Sequence, residues 1–348
     1  MFSFLRPYIF SLDPEVAHDL AIQSLKANIL PKSFFDVKGE ELLGTDLFNI
    51  KLPNPIGLAA GFDKSAEVYN SLFKLGFGLV EIGTITPRKQ LGNLKPRIFR
   101  LEKDKAMINR LGFNNDGLEI VSNRLSNNTP NGFLGINIGP NKDTKNKSSD
   151  FIECLKKLYK FASYITINIS SPNTEGLRDF HEEVLLNELL TKINDVKKKQ
   201  KILTPLLLKL SPDINDQNIS KINETILKFK IDGVILTNTT NQNRDKLEDV
   251  KKNELGGLSG LPIQNLSTNF IKNFYKSNKG KIPIIGVGGV DSGQSAFDKI
   301  IAGATVVQLY TGMVYKGPSI VKDIKSELVK ILKKEKIKNI NEAIGINS

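Results

Sequence analysis

The feature that most constrains the fold of this chain is a series of short apolar runs that recur from residue 53 onward. Small or polar residues follow each run, and we count eight runs: Ile56–Ala60, Leu79–Ile82, Gly135–Ile138, Ile165–Ile169, Leu206–Leu210, Gly233–Leu236, Ile282–Val287 and Val306–Leu309. Stretches with helical spacing follow most of them, as at Ala66–Leu75, Asp150–Ala162, Glu183–Lys198, Asn218–Phe229 and Ser292–Ala302. Apolar strands that alternate with helices indicate a parallel sheet covered on both faces. Eight such units predict an α/β protein with a closed (β/α)₈ TIM barrel, and an open doubly wound sheet is the weaker alternative.

The residues before the first strand form a segment with a pattern of its own. Aromatic and aliphatic side chains crowd its first dozen positions, and Asp13-Pro14-Glu15 has the cap, proline and first-turn acid of a helix start. The roughly 20 continuous apolar residues of a membrane-spanning helix are not found here, and we expect no secretory signal. We divide the chain into an N-terminal amphipathic helical extension, residues 1–40, and a barrel domain, residues 41–348. The extension either packs on the barrel as a structural helix or presents an aromatic face to a bilayer interface.

Cysteine, histidine and charge narrow the classes of function. A single cysteine, Cys154, cannot form an internal disulfide or hold an iron–sulfur cluster alone, and its helical surroundings predict a buried packing residue. Two histidines far apart in sequence, His18 and His181, make a histidine-based zinc site improbable. The net charge of +12 is compatible with nucleic acid, an anionic membrane or an anionic ligand. Much of the lysine lies on solvated helix faces, so we give this charge little weight.

Polar side chains recur at the carboxyl ends of the predicted strands, the face on which barrel enzymes place their active sites. The densest stretch is Asn168–Thr174, which carries hydroxyls, amides and a proline directly after a β-branched strand. Burying so many polar groups is costly without partners, and a ligand is one such partner, although a simple turn also explains the stretch. Thr84, Asn137 and Thr237–Thr239 occupy equivalent positions after other strands. Turn preference alone does not account for this repetition.

Two further stretches suit a planar, anionic ligand. Gly57–Lys64 places small residues at the end of the first strand, where they let a planar group approach the backbone, and it adds a lysine. Asn109–Asn115 combines amides with a glycine and an arginine. It lies in Thr86–Phe133, one of two long excursions from the strand ends, the other being Asn238–Leu261. Tight packing or a structural loop would favour the same residues, so neither stretch is decisive alone.

A buried lysine and two glycine-rich loops point to a phosphate-bearing cofactor. Lys209 lies inside the apolar strand Leu206–Leu210 and shares a face with Leu207. Because lysine is rarely buried without an anionic partner, we expect it to face a ligand. Gly286–Ser292 and Tyr310–Met313 follow the seventh and eighth strands. Barrels frequently bind phosphate with these two loops, through backbone N–H groups and a helix start.

Taken in order, four motifs resemble those of the dihydroorotate dehydrogenases: Ala60–Lys64, Asn109–Phe113, Asn168–Thr174 and Gly286–Ser292. The resemblance covers almost the whole chain, and the ordered set is specific although each motif alone is weak. The quinone-dependent, membrane-associated class 2 fits best, because Leu12–His18 resembles its helical extension. Ser171 also stands where the soluble members of the family have a catalytic cysteine.

The resemblance implies oxidation of (S)-dihydroorotate to orotate in the de novo synthesis of UMP, with FMN as hydride acceptor. Ser171 is then the catalytic base for the C5 proton, and Glu175 is the one group in its motif that could activate it. Lys209 would stabilise negative charge on the reduced flavin. Expected FMN contacts are Ala60, Gly61, Phe62, Asp63, Lys64, Thr84, Asn137, Asn168, Lys209, Thr237, Gly260, Gly289, Tyr310 and Thr311. Expected substrate contacts are Lys64, Asn109, Arg110, Leu111, Gly112, Phe113, Asn168, Asn173, Asn238 and Thr239.

The same resemblance implies the partners and the location of the protein. Electrons would pass to a quinone that enters beneath the N-terminal helices, and the protein would associate peripherally with the cytoplasmic side of the cell membrane. No metal, nucleic acid or iron–sulfur partner subunit is expected. Arg178 and His181, just past the catalytic loop, belong either to a lid or to the surface.

Three other functions compete with this interpretation. An RNA dihydrouridine synthase would suit the positive charge, but it should carry an extra basic domain and a cysteine at position 171. A barrel that only binds a ligand is disfavoured by the intact set of Lys64, Ser171 and Lys209. A 2-hydroxy-acid oxidase would need an active-site histidine that neither His18 nor His181 is placed to supply.

Overall fold

The computed structural model describes residues 2–29, 31, 34, 40–242 and 244–348, apart from the side chains of Asp216 and Gln217. The α-helices of these residues are α1 (Phe2–Ser11), α2 (Pro14–Lys26), α3 (Tyr69–Lys74), α4 (Leu118–Asn127), α5 (Lys147–Leu158), α6 (Glu183–Gln200), α7 (Asp216–Phe229), α8 (Gln264–Asn278), α9 (Gly293–Ile301), α10 (Thr311–Lys316) and α11 (Ile320–Lys334). The strands are β1 (Thr45–Leu47), β2 (Ile50–Leu52), β3 (Ile56–Leu58), β4 (Leu79–Ile85), β5 (Ile98–Leu101), β6 (Ala106–Asn109), β7 (Phe133–Ile138), β8 (Tyr164–Asn168), β9 (Leu206–Leu210), β10 (Gly233–Leu236), β11 (Gly257–Gly260), β12 (Ile284–Val287) and β13 (Val306–Leu309).

Eight parallel strands close into a barrel in the order β3-β4-β7-β8-β9-β10-β12-β13. They correspond to the eight apolar runs, and the pairing of β13 with β3 excludes the open sheet. The predicted (β/α)₈ architecture is therefore confirmed. Alternation along β9 is also as predicted, because Leu207 packs inside the barrel whereas Leu206, Leu208 and Leu210 pack against the surrounding helices.

The amino end of the barrel is closed by apolar side chains. Leu79, Phe133, Tyr164 and Ile235 fill the interior at this end, and Phe48, from the turn of the β1–β2 hairpin, packs against them. Such a filled interior is typical of eight-stranded barrels. Among the described residues, the barrel interior is therefore filled at its amino end, and the cleft lies at its carboxyl end.

The predicted helices are present, and the start of α3 differs for a local reason. The Asp63 carboxylate accepts hydrogen bonds from the backbone N–H groups of Glu67 and Val68, both at 2.8 Å. Ala66 adopts a positive φ of 58°, which a right-handed helix does not allow. The helix therefore begins at Tyr69 and not at Ala66. Cys154 is buried on α5, as predicted.

The two excursions meet in a small sheet that the sequence patterns did not reveal. β5 and β6 come from the first excursion and β11 from the second, and they form an antiparallel sheet in the order β11-β6-β5. Because both excursions begin at strand ends, this sheet lies beside the carboxyl mouth of the barrel. It brings Asn109, at the end of β6, opposite Gly257 of β11.

The N-terminal helices are anchored to β5 and to the loop that precedes it. Asp13 caps α2 as predicted, with its side chain accepting from the N–H groups of Glu15 and Val16. Arg97 donates to the Glu15 carboxylate at 2.8 Å, and Arg100 donates to the Phe10 carbonyl at 2.8 Å. The proposed domain boundary after residue 40 adjoins residues 35–39, which lie outside the described residues. In the part of the chain that is described, no helix has both the length and the hydropathy that crossing a bilayer requires.

Candidate active site

A cleft lies at the carboxyl ends of the barrel strands. Many of the residues that the sequence singled out line it: Ala60, Asn109, Leu111, Lys209, Thr237, Asn238, Thr239, Gly260, Gly289, Tyr310 and Thr311. They come from the ends of the barrel strands and from the small sheet. The fold therefore gathers one set of predicted ligand contacts into one place, as a barrel active site requires.

Thr84, Asn137 and Asn168 form a buried hydrogen-bonded group at the ends of β4, β7 and β8. The Thr84 hydroxyl donates to Asn137 Oδ1 at 2.7 Å, and Asn168 Nδ2 donates to the same oxygen at 3.0 Å. Asn168 Nδ2 also lies 3.1 Å from Thr84 Oγ1. The three inward amides and hydroxyls predicted at these strand ends thus fix one another's orientation.

Beneath this group lies Glu81, a fully buried residue of β4 that the sequence interpretation missed. Its carboxylate accepts hydrogen bonds from Asn137 Nδ2 at 2.7 Å, from the Tyr164 hydroxyl at 2.8 Å and from Gln308 Nε2 at 2.9 Å. Gln308 Nε2 also donates to the Tyr164 oxygen at 3.1 Å, so the Tyr164 proton points to Glu81. All three neighbours are donors, which is the arrangement of an ionised carboxylate.

Lys209 is buried in the wall of the cleft, and none of the described groups accepts a hydrogen bond from its ammonium. Burial lowers the pKa of Lys209, and the negative charge of Glu81 opposes that shift. Gln308 Oε1, in the same wall, is also buried without a hydrogen-bond partner. A buried cation and a buried acceptor that both lack partners indicate a polar ligand in the cleft.

Lys64 is not among the residues that line the cleft, and it contacts the N-terminal extension. Its ammonium lies 3.0 Å from His18 Nε2, and the His18 ring packs edge-on against Phe62. Burial lowers the pKa of Lys64 to about 8 and that of His18 to about 3, so His18 is neutral and accepts the hydrogen bond. The side chain of Asp63, a predicted cofactor contact, accepts hydrogen bonds from the N–H groups of Glu67 and Val68 just before α3, and its carbonyl accepts from Gly83 N.

The loop after β8 carries the predicted base. Ser171 is buried, and its Oγ accepts a hydrogen bond from Asn173 N at 3.2 Å. Glu175 is exposed and makes no hydrogen bond to Ser171, and no imidazole or other carboxylate among the described residues does so. Asn173 Nδ2 donates to the Asn109 carbonyl at 3.1 Å, which joins this loop to the small sheet.

Ser170, which the sequence left without a role, holds two predicted ligand contacts together. Its hydroxyl donates to Asn168 Oδ1 at 2.8 Å and accepts from Asn238 Nδ2 at 2.8 Å. The amide groups of Asn168 and Asn238 are thereby oriented through one side chain. The contact spans 68 residues in sequence, so no local pattern could have revealed it.

The predicted substrate segment Asn109–Phe113 is tied down by the preceding loop. Asn93 Nδ2 donates to the Arg110 carbonyl and Gln90 Nε2 donates to the Gly112 carbonyl, both at 2.9 Å. Phe113 packs beside Gly139 at the end of β7. The Arg110 side chain turns elsewhere, with its guanidinium 3.0 Å from a Glu254 carboxylate oxygen.

The glycine-rich loops leave backbone exposed to the cleft. Gly288 and Gly289 have positive φ, and a Cβ on Gly289 would lie 2.5 Å from the Gln264 side chain. Gly61 also has a positive φ, and a Cβ there would meet nothing nearer than a Tyr310 ring carbon at 3.9 Å. Gly289 therefore has no room for a side chain, whereas the space beside Gly61 is open to a ligand.

A second, mostly apolar cavity lies between the N-terminal helices and the barrel. Side chains from α1 and α2, such as Ile9, Phe10 and Ala17, form one wall. Tyr310 and Met107 line both this cavity and the polar cleft, so the two spaces share a wall. The arrangement suits an apolar molecule on one side and a polar one on the other.

Comparison with known proteins gives one consistent result. The family model described as "Dihydroorotate dehydrogenase" matches residues 42–332. A protein of Psychrobacter sp. named "Dihydroorotate dehydrogenase (quinone)" is 44% identical over 327 residues, which cover 92% of this chain and 95% of that protein. A protein of Bartonella henselae with the same name is 45% identical over 339 residues, 96% of this chain and 93% of that protein. The crystal structure of DHODH from Eimeria tenella in complex with ferulenol matches with a TM-score of 0.92 and 40% identity, covering 96% of both chains.

Proposed function

From the premise that this chain belongs to the dihydroorotate dehydrogenase family, we propose that it oxidises (S)-dihydroorotate to orotate and passes the electrons to a quinone. The reaction is a step of de novo pyrimidine synthesis. The observation that carries the proposal is the shared wall at Tyr310 between a polar cleft and an apolar cavity. A polar substrate and an apolar electron acceptor each have a matching space, and the two are adjacent.

The family is flavin-dependent, and we propose FMN as the flavin of this chain. The residues fit it, because the unpartnered Lys209 ammonium and Gln308 Oε1 offer a donor and an acceptor to a heterocycle. Backbone N–H groups of the loops at Gly260, Gly289 and Thr311 would hold the phosphate. When bound, FMN accepts a hydride and then releases electrons to a quinone. The protonated Lys209 would stabilise the negative charge that reduction adds.

We propose that the substrate lies between the loops that follow β6, β8 and β10. Asn109, Asn173 and Asn238 offer amide groups that can donate to its carbonyl oxygens and accept from its N–H groups. Lys64 would pair with its carboxylate. Ser171 Oγ would take the proton from C5, and because a hydroxyl is a weak base, that proton must leave by a further group or by water.

The N-terminal extension, residues 1–40, would bring the quinone from the membrane to the barrel domain, residues 41–348. Helices α1 and α2 line the apolar cavity, and both carry exposed apolar side chains, such as Phe4 on α1 and Leu20 on α2. We propose peripheral association with the cytoplasmic side of the cell membrane, and the exposed apolar side chains support attachment to a bilayer interface. The RNA dihydrouridine synthase alternative is not favoured, since the family model and the named relatives are dihydroorotate dehydrogenases.

The test is a two-step assay on the purified protein. Dihydroorotate should bleach the flavin absorbance in the absence of oxygen, and a short-chain quinone analogue should then restore it. Ser171→Ala should slow bleaching by about 10²–10⁴-fold because the general base is lost, while the flavin spectrum stays intact. Normal turnover of this variant at pH 7 would show that Ser171 is not the base.

A further inference from the structure

Arg178 lines neither cavity, yet its guanidinium joins three loops of the active site. It lies in a short 3₁₀ helix, Arg178–His181, after the catalytic loop. Its Nε donates to the Ser170 carbonyl at 3.1 Å, and one terminal nitrogen donates to the Thr239 carbonyl at 3.1 Å. The other terminal nitrogen lies 2.9 Å from Asp213 Oδ2. All three nitrogens of the fork are thus engaged by different loops.

Asp213 extends the connection along the loop after β10. Its Oδ1 accepts from the Thr240 hydroxyl, and its Oδ2 also accepts from Asn241 N at 3.3 Å. The side chains of Arg178 and Asp213 are only 24% and 10% exposed. Because the pair is largely shielded from water, it is held more firmly than an exposed ion pair.

The loops that this pair joins are those that carry the proposed base and the proposed substrate contacts. Ser170 precedes Ser171 and bridges Asn168 to Asn238. Pro172 and Thr239 both press on Gly257, where an added Cβ would lie 3.1 Å and 1.9 Å from them. The loops after β8 and β10 therefore pack tightly against the same glycine, so a shift of one loop displaces the other.

Resting on the proposed function, we propose that Arg178, held by Asp213, is a positioning residue for proton abstraction. Its planar fork sets the position of Ser171, the proposed base, relative to Asn238 and Thr239, which are proposed substrate contacts. A lysine has no such fork and cannot serve two carbonyls and a carboxylate in these directions. Displacement of a reacting group by about 1 Å can slow a reaction about a hundredfold.

The test measures flavin bleaching by dihydroorotate and flavin reoxidation by a quinone analogue in separate rapid-mixing experiments. Arg178→Lys should slow bleaching about a hundredfold and leave reoxidation and FMN content unchanged. Asp213→Asn should show the same selective slowing of bleaching. This variant tests the positioning role if the Arg178 variant does not fold. The matched control is Arg88→Lys, which alters an exposed Arg–Asp pair with Asp143 and should change neither step.

A double variant separates positioning from general loosening of the fold. In the Ser171→Ala background, Arg178→Lys should slow bleaching by less than about threefold, because its effect acts through the missing base. A full further loss in that background, or equal slowing of both half-reactions, would overturn the positioning role. Failure of the proposed function gives a different result, since Ser171→Ala alone would then react at the normal rate.

Discussion

Two opposite charges in the barrel interior, Glu81 and Lys209, set the electrostatics of the flavin-binding wall. Glu81 has three neutral donors and no hydrogen-bonded cation, and Lys209 has no acceptor among the described residues. Each charge is buried, so each depends on the field of the other. Glu81 also turns the Asn137 amide so that its oxygen faces Thr84 and Asn168. One carboxylate therefore influences both the charge and the hydrogen-bonding pattern of the site.

Removing the charge of Glu81 should destabilise the protein more than removing both charges. Glu81→Gln leaves the Lys209 ammonium uncompensated and gives Asn137 or Gln308 a mismatched partner, so we expect a loss of about 3 kcal/mol. Adding Lys209→Met should restore part of that loss. Urea unfolding of the FMN-loaded variants measures the effect. Additive losses from the two substitutions would mean that the charges are not coupled.

The protonation of Lys64 should give substrate affinity a pH dependence. Its pKa is lowered to about 8, so the ammonium is present below that pH and is lost as the pH rises through it. Orotate affinity should then be level below pH 7 and fall about tenfold per unit well above pH 8, since the carboxylate loses its cation. Titration of orotate against flavin absorbance measures this. Asp19→Asn should move the fall to lower pH, because Asp19 raises the pKa of Lys64; a profile flat to pH 9.5 would exclude Lys64 as the anion contact.

Residues with a local signal could be predicted, and residues defined by distant partners could not. Lys209 was found because a lysine stands out in an apolar strand. Glu81 has the same signal in β4, because it shares the interior face of that strand with Leu79, yet the sequence interpretation does not include it. Arg178 and Asp213 carry no such signal, because Asp213 lies 35 residues and Thr239 lies 61 residues from Arg178 in sequence.

At the scale of elements, all eight barrel strands follow from their apolar runs because each is buried on both faces. The β11-β6-β5 sheet does not, since β11 and β6 are separated by about half the barrel and their pairing depends on where the barrel places them. The start of α3 likewise depends on the hydrogen bonds that Asp63 accepts and on the backbone at Ala66. Long-range register and backbone conformation are the parts of the fold that periodicity does not encode.

The α1–α2 pair should matter for one half of the reaction. Deleting residues 1–31 removes one wall of the apolar cavity while leaving the strand ends in place. Loss of two buried apolar contacts to the quinone costs about 3 kcal/mol, or roughly a hundredfold in the efficiency of flavin reoxidation. The rate of flavin bleaching by dihydroorotate should change far less. Any change in that rate would come from the loss of the His18–Lys64 contact. Equal losses in both half-reactions would mean that the helices only support the fold.

At the scale of the whole molecule, two features could attract it to a membrane, and they respond differently to salt. The net charge of +12 acts through electrostatics, which are screened beyond about 10 Å at 0.1 M salt. The exposed apolar face of α1 and α2 acts through burial, which salt does not screen. Phe4 and Tyr8 are the most exposed of its large side chains near the start of the chain, at 75% and 66%.

We expect the apolar face to dominate membrane attachment. Binding to vesicles of neutral phosphatidylcholine should persist at 0.5 M salt, and flotation measures the bound fraction. Phe4→Asp combined with Tyr8→Asp should reduce binding at least tenfold, because each side chain contributes about 1.5–3 kcal/mol when buried. Val184→Asp is the matched control, since Val184 is 69% exposed on α6, away from the extension. Binding that needs anionic lipid and vanishes at 0.5 M salt would instead assign attachment to the overall charge, and the helices would then serve the quinone cavity without holding the membrane.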